Sequence, residues 1–218
     1  IRHISILSSA VEHSRGPITY IIEFHPISPE LTVKRGVRRT AWLTGISILA
    51  ALVIVFDYTL KFSGLKIPFP WMPFLKFDFT GVPIALSLLL YGLPSGAFTS
   101  IVAFVAIVAR SGELVGAMMK GIAEFSTISG MALVLHISIR HGRFLSILVG
   151  IVIRTAVMSL TNLIVLPSYY GLPYNVVINM LPLLGLFNAM QGAVTVLIGY
   201  ALCEAYERRV SSFLRTSF

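Results

Sequence analysis

Hydrophobic runs of membrane-spanning length, separated by short polar turns, occupy the chain from Thr40 to Tyr206. A helix that crosses about 30 Å of hydrocarbon needs about 20 mostly apolar residues, so this region has room for five or six spans. Breakers and polar turns predict six helices, at about residues 40–60, 82–91, 97–109, 113–139, 144–166 and 183–205. The second is short for a span. The pattern therefore predicts an all-α membrane protein, a bundle of six transmembrane helices.

A polar sequence interrupts this pattern between the first two predicted helices. Residues 74–83 read Phe-Leu-Lys-Phe-Asp-Phe-Thr-Gly-Val-Pro, so that Lys76 and Asp78 stand among three phenylalanines and are followed by a proline. Irregular backbone at the mouth of a membrane bundle is tolerated only where protein or water satisfies it. The sequence therefore predicts a capping loop between helices 1 and 2, where a transporter would hold its substrate.

Residues 1–36 differ from the rest, because they contain no apolar run long enough to span a membrane. They also lack the basic start, apolar core and small-residue cleavage pattern of a signal peptide. We expect a poorly structured N-terminal segment, 1–36, to which we assign no function, followed by one membrane-embedded domain, 37–218.

Composition and charge placement agree with a lipid environment. Hydrophobic residues make up 56% of the chain and charged residues 12%, while the formal net charge is +8. Nine basic residues flank predicted spans on what would be one side: Lys34, Arg35, Arg38, Arg39, Arg140, Arg143, Arg208, Arg209 and Arg215. By the positive-inside rule, they predict a protein of the cell membrane with both termini in the cytoplasm. This placement favours the lipid bilayer over nucleic acid as the partner of the basic charge.

Three amides lie inside predicted spans, near the ends that flank the external loops: Asn162, Asn188 and Gln191. Amides both donate and accept hydrogen bonds, which suits a neutral ligand with an alternating edge, such as an isoalloxazine. The equal alternative is interhelical hydrogen bonding that holds the bundle together. Lys120 and Glu124, at i and i+4 on the fourth helix, are expected to neutralise one another, which is a structural more than a functional pattern.

Small residues on the first predicted helix allow another helix to approach closely. Ala41 and Gly45 form one i, i+4 pair, and Ser47 and Ala51 form another. They predict a face on which a partner protein docks, and packing within the same bundle is the alternative.

No enzyme motif is present in the sequence. A Gly-x-Ser-x-Gly turn, a His-Glu-x-x-His metal site and a phosphate loop are all missing, and the single cysteine, Cys203, cannot form an intrachain disulfide. We therefore predict no catalytic residues, no metal and no cofactor. A carrier or binding subunit is favoured, and an autonomous secondary transporter is the alternative from a different class.

Four segments resemble a known family. These are residues 74–83, the turn Gly-Leu-Pro-Ser-Gly at 92–96, Met-Ser-Leu-Thr-Asn at 158–162 and Phe-Asn-Ala-Met-Gln-Gly at 187–192. In this order they resemble the substrate-binding S component of energy-coupling-factor (ECF) vitamin transporters, and most of all the riboflavin-specific type. Gln191 departs from that type, whose motif has a lysine at this position.

The resemblance implies a six-helix fold whose first external loop caps riboflavin. Carried over position by position, it implies a substrate site of Leu75, Asp78, Asn162, Asn188 and Gln191. It also implies three partner proteins, a transmembrane coupling subunit and two ATPases that hydrolyse the ATP, with the docking face of the first helix meeting the coupling subunit. The neutral Gln191 keeps another small vitamin or heterocycle open as the substrate.

Overall fold

The chain folds into six helices and one short hairpin in the computed structural model, which describes residues 29–64, 66–137 and 142–216. In chain order the elements are α1 (Pro29–Phe62), β1 (Ile67–Phe69), β2 (Met72–Phe77), α2 (Gly81–Tyr91), α3 (Leu93–Ser111), α4 (Leu114–Ile137), α5 (Gly142–Tyr170) and α6 (Tyr174–Thr216). Two units are distinguished, Ile1–Val37 and Arg38–Phe218, and the bundle described below belongs to the second. Residues 1–28 of the predicted N-terminal segment lie outside the described residues, so that prediction stays a prediction.

Five of the six helices are long and apolar enough to cross a membrane: Arg39–Phe62 within α1, then α3, α4, α5, and Tyr174–Arg209 within α6. Helix α2 has only 11 residues and is the exception, as its sequence predicted. The all-helical membrane fold with six helices is therefore confirmed.

The predicted helix ends were wrong where proline was treated as a stop. Pro167 lies inside α5 and Pro182 inside α6, so the loop expected between them shrinks to residues 171–173. Membrane helices tolerate proline because neighbouring helices and local adjustments satisfy the freed carbonyl. The turn expected at 92–96 also shrinks, to Gly92 alone, whose φ of 88° suits glycine. The basic turn around Arg140 lies outside the described residues.

The predicted irregular loop is largely an antiparallel hairpin. Ile67 pairs with Phe77 and Pro68 with Lys76 across β1 and β2. Successive side chains of a strand point to opposite faces, so Leu75 and Phe77 are half-buried while Lys76, between them, is exposed. The hairpin thereby turns one apolar face toward the bundle.

Two hydrophobic clusters form the core. The first joins α1, α2, α3, α4 and α6 and contains Val53, Ile84, Leu88, Ala103, Ile128, Met131 and Val196. The second joins the hairpin to α5 and α6 and contains Phe69, Met72, Leu166, Val177 and Leu184. The apolar side chains of this second cluster thus hold the hairpin against the bundle.

Glycines bring α4 and α5 close together. A Cβ on Gly130 would lie 2.9 Å from the carbonyl oxygen of Val149 and 3.0 Å from Cα of Gly150. Both are backbone atoms that a side-chain rotation cannot move, so this crossing requires glycine.

Candidate functional site

A cavity of about 750 Å³ lies between the hairpin and helices α4, α5 and α6. All five residues that the sequence proposed for substrate binding line it: Leu75, Asp78, Asn162, Asn188 and Gln191. Its volume is in the range of sites for small organic molecules. Residues from separate parts of the sequence are therefore brought to one pocket, although their chemical roles differ.

Asn162 and Asn188 each hold their side-chain amide in an orientation that leaves the oxygen free to accept a hydrogen bond. The Nδ2 of Asn162 donates to the carbonyl of Met158 at 2.7 Å, and the Nδ2 of Asn188 donates to that of Leu184 at 2.9 Å. Each amide is thereby fixed by its own helix, and neither Oδ1 accepts a hydrogen bond from any described residue. Both residues are buried. Each Oδ1 is therefore available to accept from an N–H group of a ligand.

Gln191 has a different arrangement, because both ends of its amide are already bonded. Its Nε2 donates to the carbonyl of Asp78 at 2.7 Å, and its Oε1 accepts from the backbone N–H of Asp78 at 3.3 Å. These two hydrogen bonds attach the chain just beyond β2 to α6. Gln191 lines the cavity, but in this structure its polar atoms hold the backbone of the hairpin's end.

The Asp78 side chain also attaches this end of the hairpin to α4. Its Oδ1 accepts from Lys120 Nζ at 2.6 Å and from the hydroxyl of Thr80 at 2.8 Å. Burial raises the pKa of Asp78, but the charges of Lys120 and Lys66 and the hydrogen bonds outweigh it and hold the pKa below its ordinary value of 3.8. Asp78 is therefore ionised at neutral pH.

Seven charged side chains form an alternating chain of ion pairs across the bundle, in the order Arg110, Asp57, Lys66, Asp78, Lys120, Glu124 and Arg154. The predicted Lys120–Glu124 pair is confirmed at 3.0 Å. Arg154 pairs with Glu124 at 3.2 Å, and Arg110 with Asp57 at 2.6 Å. These ion pairs link α3, α1, the segment before the hairpin, α4 and α5.

The sequence reasoning missed the outer part of this chain. Asp57 is the signal that could have found it, because it is the only charged residue between Arg39 and Lys61 of the first hydrophobic run. A carboxylate in a span is expected to have a partner. Lys66 and Arg110 supply that partner charge.

Phe187, which lines the cavity, packs against two rings of the hairpin. The ring of Phe187 on α6 lies 5.6 Å from that of Phe69 and 5.1 Å from that of Phe77, centroid to centroid. Such tilted and edge-on contacts add to the area that the rings bury. They hold the hairpin over α6.

The four residues proposed for partner docking are not equivalent. Ala41, Ser47 and Ala51 are exposed, whereas Gly45 is half-buried. A Cβ on Gly45 would overlap the hydroxyl of Tyr91 on α2. Gly45 therefore serves packing within the bundle, and the other three remain on the outer surface of α1.

Among the described residues, no group of three or more His, Cys, Asp or Glu side chains could hold a metal ion. The polar lining of the cavity combines amides with Lys120, Arg154 and Asp78. This donor set suits an organic molecule with hydrogen-bond acceptors and N–H groups.

The fold has a known counterpart. The S component of a bacterial ECF transporter superposes with a TM-score of 0.66 over 81% of this chain and 98% of that chain. This chain has the S-component fold. The sequence identity is 24%, so the likeness concerns the S-component fold itself and not the ligand. No protein-family model matches the sequence, and no curated protein matches it either.

Proposed function

We propose that the protein is the substrate-binding S component of an ECF-type transporter and that it captures riboflavin or a related flavin outside the cell. The observation that carries the proposal is the cavity beneath the hairpin, which is of ligand size and is lined by Asn162 and Asn188, each with an Oδ1 that accepts no hydrogen bond from the described residues. The S-component fold supports the class of protein, and the riboflavin-type motifs in the sequence support the ligand.

The chemistry of the cavity fits a flat heterocycle with an N–H group. Amide oxygens accept hydrogen bonds, so the two asparagines would take up ligand N–H or O–H groups that lose water on binding, such as the ring N3–H and a ribityl hydroxyl of riboflavin. Phe187, with Phe74 and Leu75 of the hairpin, lines the cavity and offers apolar and aromatic surface to a ring system. An isoalloxazine combines a large flat face with a polar edge, as these walls require.

Energy for uptake would come from other chains. In the proposed assembly a transmembrane coupling subunit and two ATPases associate with this protein, and ATP is used by the ATPases. Ala41, Ser47 and Ala51 form the proposed docking surface because they are small and lie exposed on α1. We place the protein in the cell membrane with both termini in the cytoplasm, from the distribution of basic residues.

Another small vitamin or heterocycle is the second candidate ligand, and Gln191 favours it. The riboflavin-type motif has a cation where this chain has a neutral amide that is bonded to the Asp78 backbone. A ligand that does not require that cation would fit the same cavity.

Titration of the purified, detergent-solubilised protein with riboflavin tests the proposal, with quenching of flavin fluorescence as the readout. The absorbance spectrum of the preparation is checked first for flavin that copurified. Saturable, tight binding is expected. If a well-folded protein binds no flavin, the flavin assignment fails, and a thermal-shift screen of other heterocycles tests the second candidate.

A further inference from the structure

Arg154 is a buried cation in the wall of the cavity, in the middle of α5. Only 2% of its surface is exposed, and it lines the cavity. Its Nη1 lies 3.2 Å from Glu124 Oε1 and donates to Thr127 Oγ1 at 3.0 Å and to the Ala123 carbonyl at 3.4 Å. Every contact that it makes with described polar groups is therefore made by one nitrogen, on the side facing α4.

The other edge of the guanidinium is uncommitted. Arg154 Nε is buried and has no hydrogen-bond partner among the described residues. The contacts of Arg154 with polar groups of described residues are all made by Nη1, so Nη2 makes no hydrogen bond to them either. A buried donor without a partner loses its hydration without compensation. Nε–H and Nη2–H point the same way in the plane of the group, and together they bind two coplanar acceptors.

The charges around this edge favour an electron-rich group. The chain of ion pairs that ends at Arg154 contains four cations and three carboxylates, so one positive charge is left over. Lys76 and Glu113 also line the cavity, but both are exposed and opposite in sign. A ligand atom with full or partial negative charge would therefore be stabilised beside Arg154.

Because Gly192 on α6 has no side chain, there is room beside it for the side chain of Arg154. A Cβ at this position would be 3.0 Å from Cδ of Arg154 and 3.6 Å from Cγ1 of Ile151. The position of the guanidinium in the cavity thus depends on α6 as well as on Glu124.

We infer that Arg154 is a ligand-binding residue whose Nε and Nη2 grip two neighbouring, coplanar acceptors on the edge of the substrate. The inference rests on the proposed function and narrows its substrate class to planar molecules with such an acceptor pair. An isoalloxazine carries two pairs of this kind, N1 with the C2 carbonyl and N5 with the C4 carbonyl. A carboxylate on a flat ring presents the same chemistry. Glu124 is a positioning residue, since it holds Nη1.

Calorimetric titration of the full chain with riboflavin, 1-deazariboflavin and 5-deazariboflavin tests the inference in wild type and in Arg154→Lys. Lysine keeps the charge beside Glu124 but lacks the paired donors, and thermal unfolding checks that the variant is folded. We expect the substitution to weaken riboflavin binding roughly 10- to 100-fold, the effect of charge-assisted hydrogen bonds. Wild type should discriminate against one deaza analogue, and Arg154→Lys should not.

Two further variants make the result specific. Arg143→Lys is the matched control, because the same substitution falls on the same helix, on an exposed residue outside the cavity that pairs with Glu207. It should leave affinity unchanged. Gly192→Ala should weaken binding by pressing on Arg154 while leaving all of its polar groups present.

The outcomes separate the inference from the proposed function. Wild-type riboflavin affinity in Arg154→Lys overturns the inference and leaves the flavin assignment standing. Equal discrimination between the analogues in both proteins also overturns it. If wild type binds no flavin, the flavin assignment fails, and nicotinate, a flat ring with a carboxylate, becomes the probe. Nicotinate binding that Arg154→Lys abolishes supports the inference, and no nicotinate binding to folded wild type overturns it as well.

Discussion

The hairpin and the α4–α6 bundle enclose the same cavity but are held in place by different forces. Besides its buried aromatic face, the hairpin is fastened by a few polar contacts at its ends, those of Asp78 with Gln191 and Lys120 and that of Lys66 with Asp57. Helices α4 and α5 instead cross at glycines so close that a single Cβ would meet backbone. The difference implies that polar substitutions at the hairpin's ends should loosen the hairpin, whereas the α4–α5 crossing responds to added volume.

The largest effect on stability is expected from disturbing the close α4–α5 crossing. Gly130→Ala should lower the free energy of unfolding by about 3 kcal/mol, the upper end for overpacking, because both clashing atoms are backbone. Thermal unfolding in detergent measures it.

Gly121→Ala is the matched control on the same helix, since its Cβ would find Phe104 Cβ at an ordinary distance of 3.5 Å. It should raise the stability by up to about 1 kcal/mol through helix propensity. Equal stability of the two variants would contradict the account of a rigid α4–α5 crossing.

The second-largest effect concerns recognition of the ligand by α5 and α6. Asn162→Ala and Asn188→Ala should each weaken riboflavin binding by about 1–3 kcal/mol, because a ligand N–H or O–H donor would be buried without an acceptor. The unfolding temperature should hardly change, since each Nδ2 bonds only within its own helix. Unchanged affinity in both variants would show that the ligand lies elsewhere.

A smaller effect on affinity is expected from loosening the hairpin, because the bonds of Gln191 hold the hairpin's end and do not touch the ligand. Gln191→Ala removes two hydrogen bonds to the Asp78 backbone, worth about 0.5–1.5 kcal/mol each. We expect faster ligand dissociation with little change in association, measured by stopped-flow fluorescence. A variant that lost affinity only through slower association would instead assign Gln191 to ligand capture.

Titration of Asp78 should have a still smaller effect in the physiological range. Its pKa is held below the ordinary value, so its contribution to holding the hairpin is present above about pH 4 and is lost as pH falls through the folded-state pKa. Affinity should therefore be flat between about pH 5 and 8 as far as Asp78 is concerned, and should decline only in stronger acid. Asp78→Asn is the control, since it removes this titration.

Outside both regions, no effect on affinity is expected at all. Ala51→Phe enlarges an exposed residue on α1 and should leave riboflavin binding unchanged while impairing uptake in cells that contain the partner subunits. Gly45→Phe would be a poor test, because that position faces Tyr91. Normal uptake with Ala51→Phe would contradict the docking surface.

Hydropathy and spacing predicted the helices and singled out Asn162, Asn188 and Gln191 as polar residues inside spans, because both depend on local composition. Leu75 and Asp78 instead entered the predicted site through the family resemblance. Hydropathy and spacing did not predict the pairing of β1 with β2, which needs the bundle beneath it. They also treated Gln191 like Asn162 and Asn188, since an amide in a span has the same sequence signature whether its partner is a ligand or a backbone. Only the position of Asp78 opposite Gln191 distinguishes these roles, and 113 residues separate the two.

The short helix α2 has a consequence for the electric field in the membrane. Its 11 residues rise about 16 Å, roughly half of the hydrocarbon thickness. It begins beside Glu124, about 15 Å along α4, since a Cβ on Gly81 would touch that carboxylate. Were water to fill the cavity to this level, most of the membrane voltage would fall across the remaining half. The local field there would be about twice that in intact bilayer, and Glu124 and Arg154 would lie at its edge.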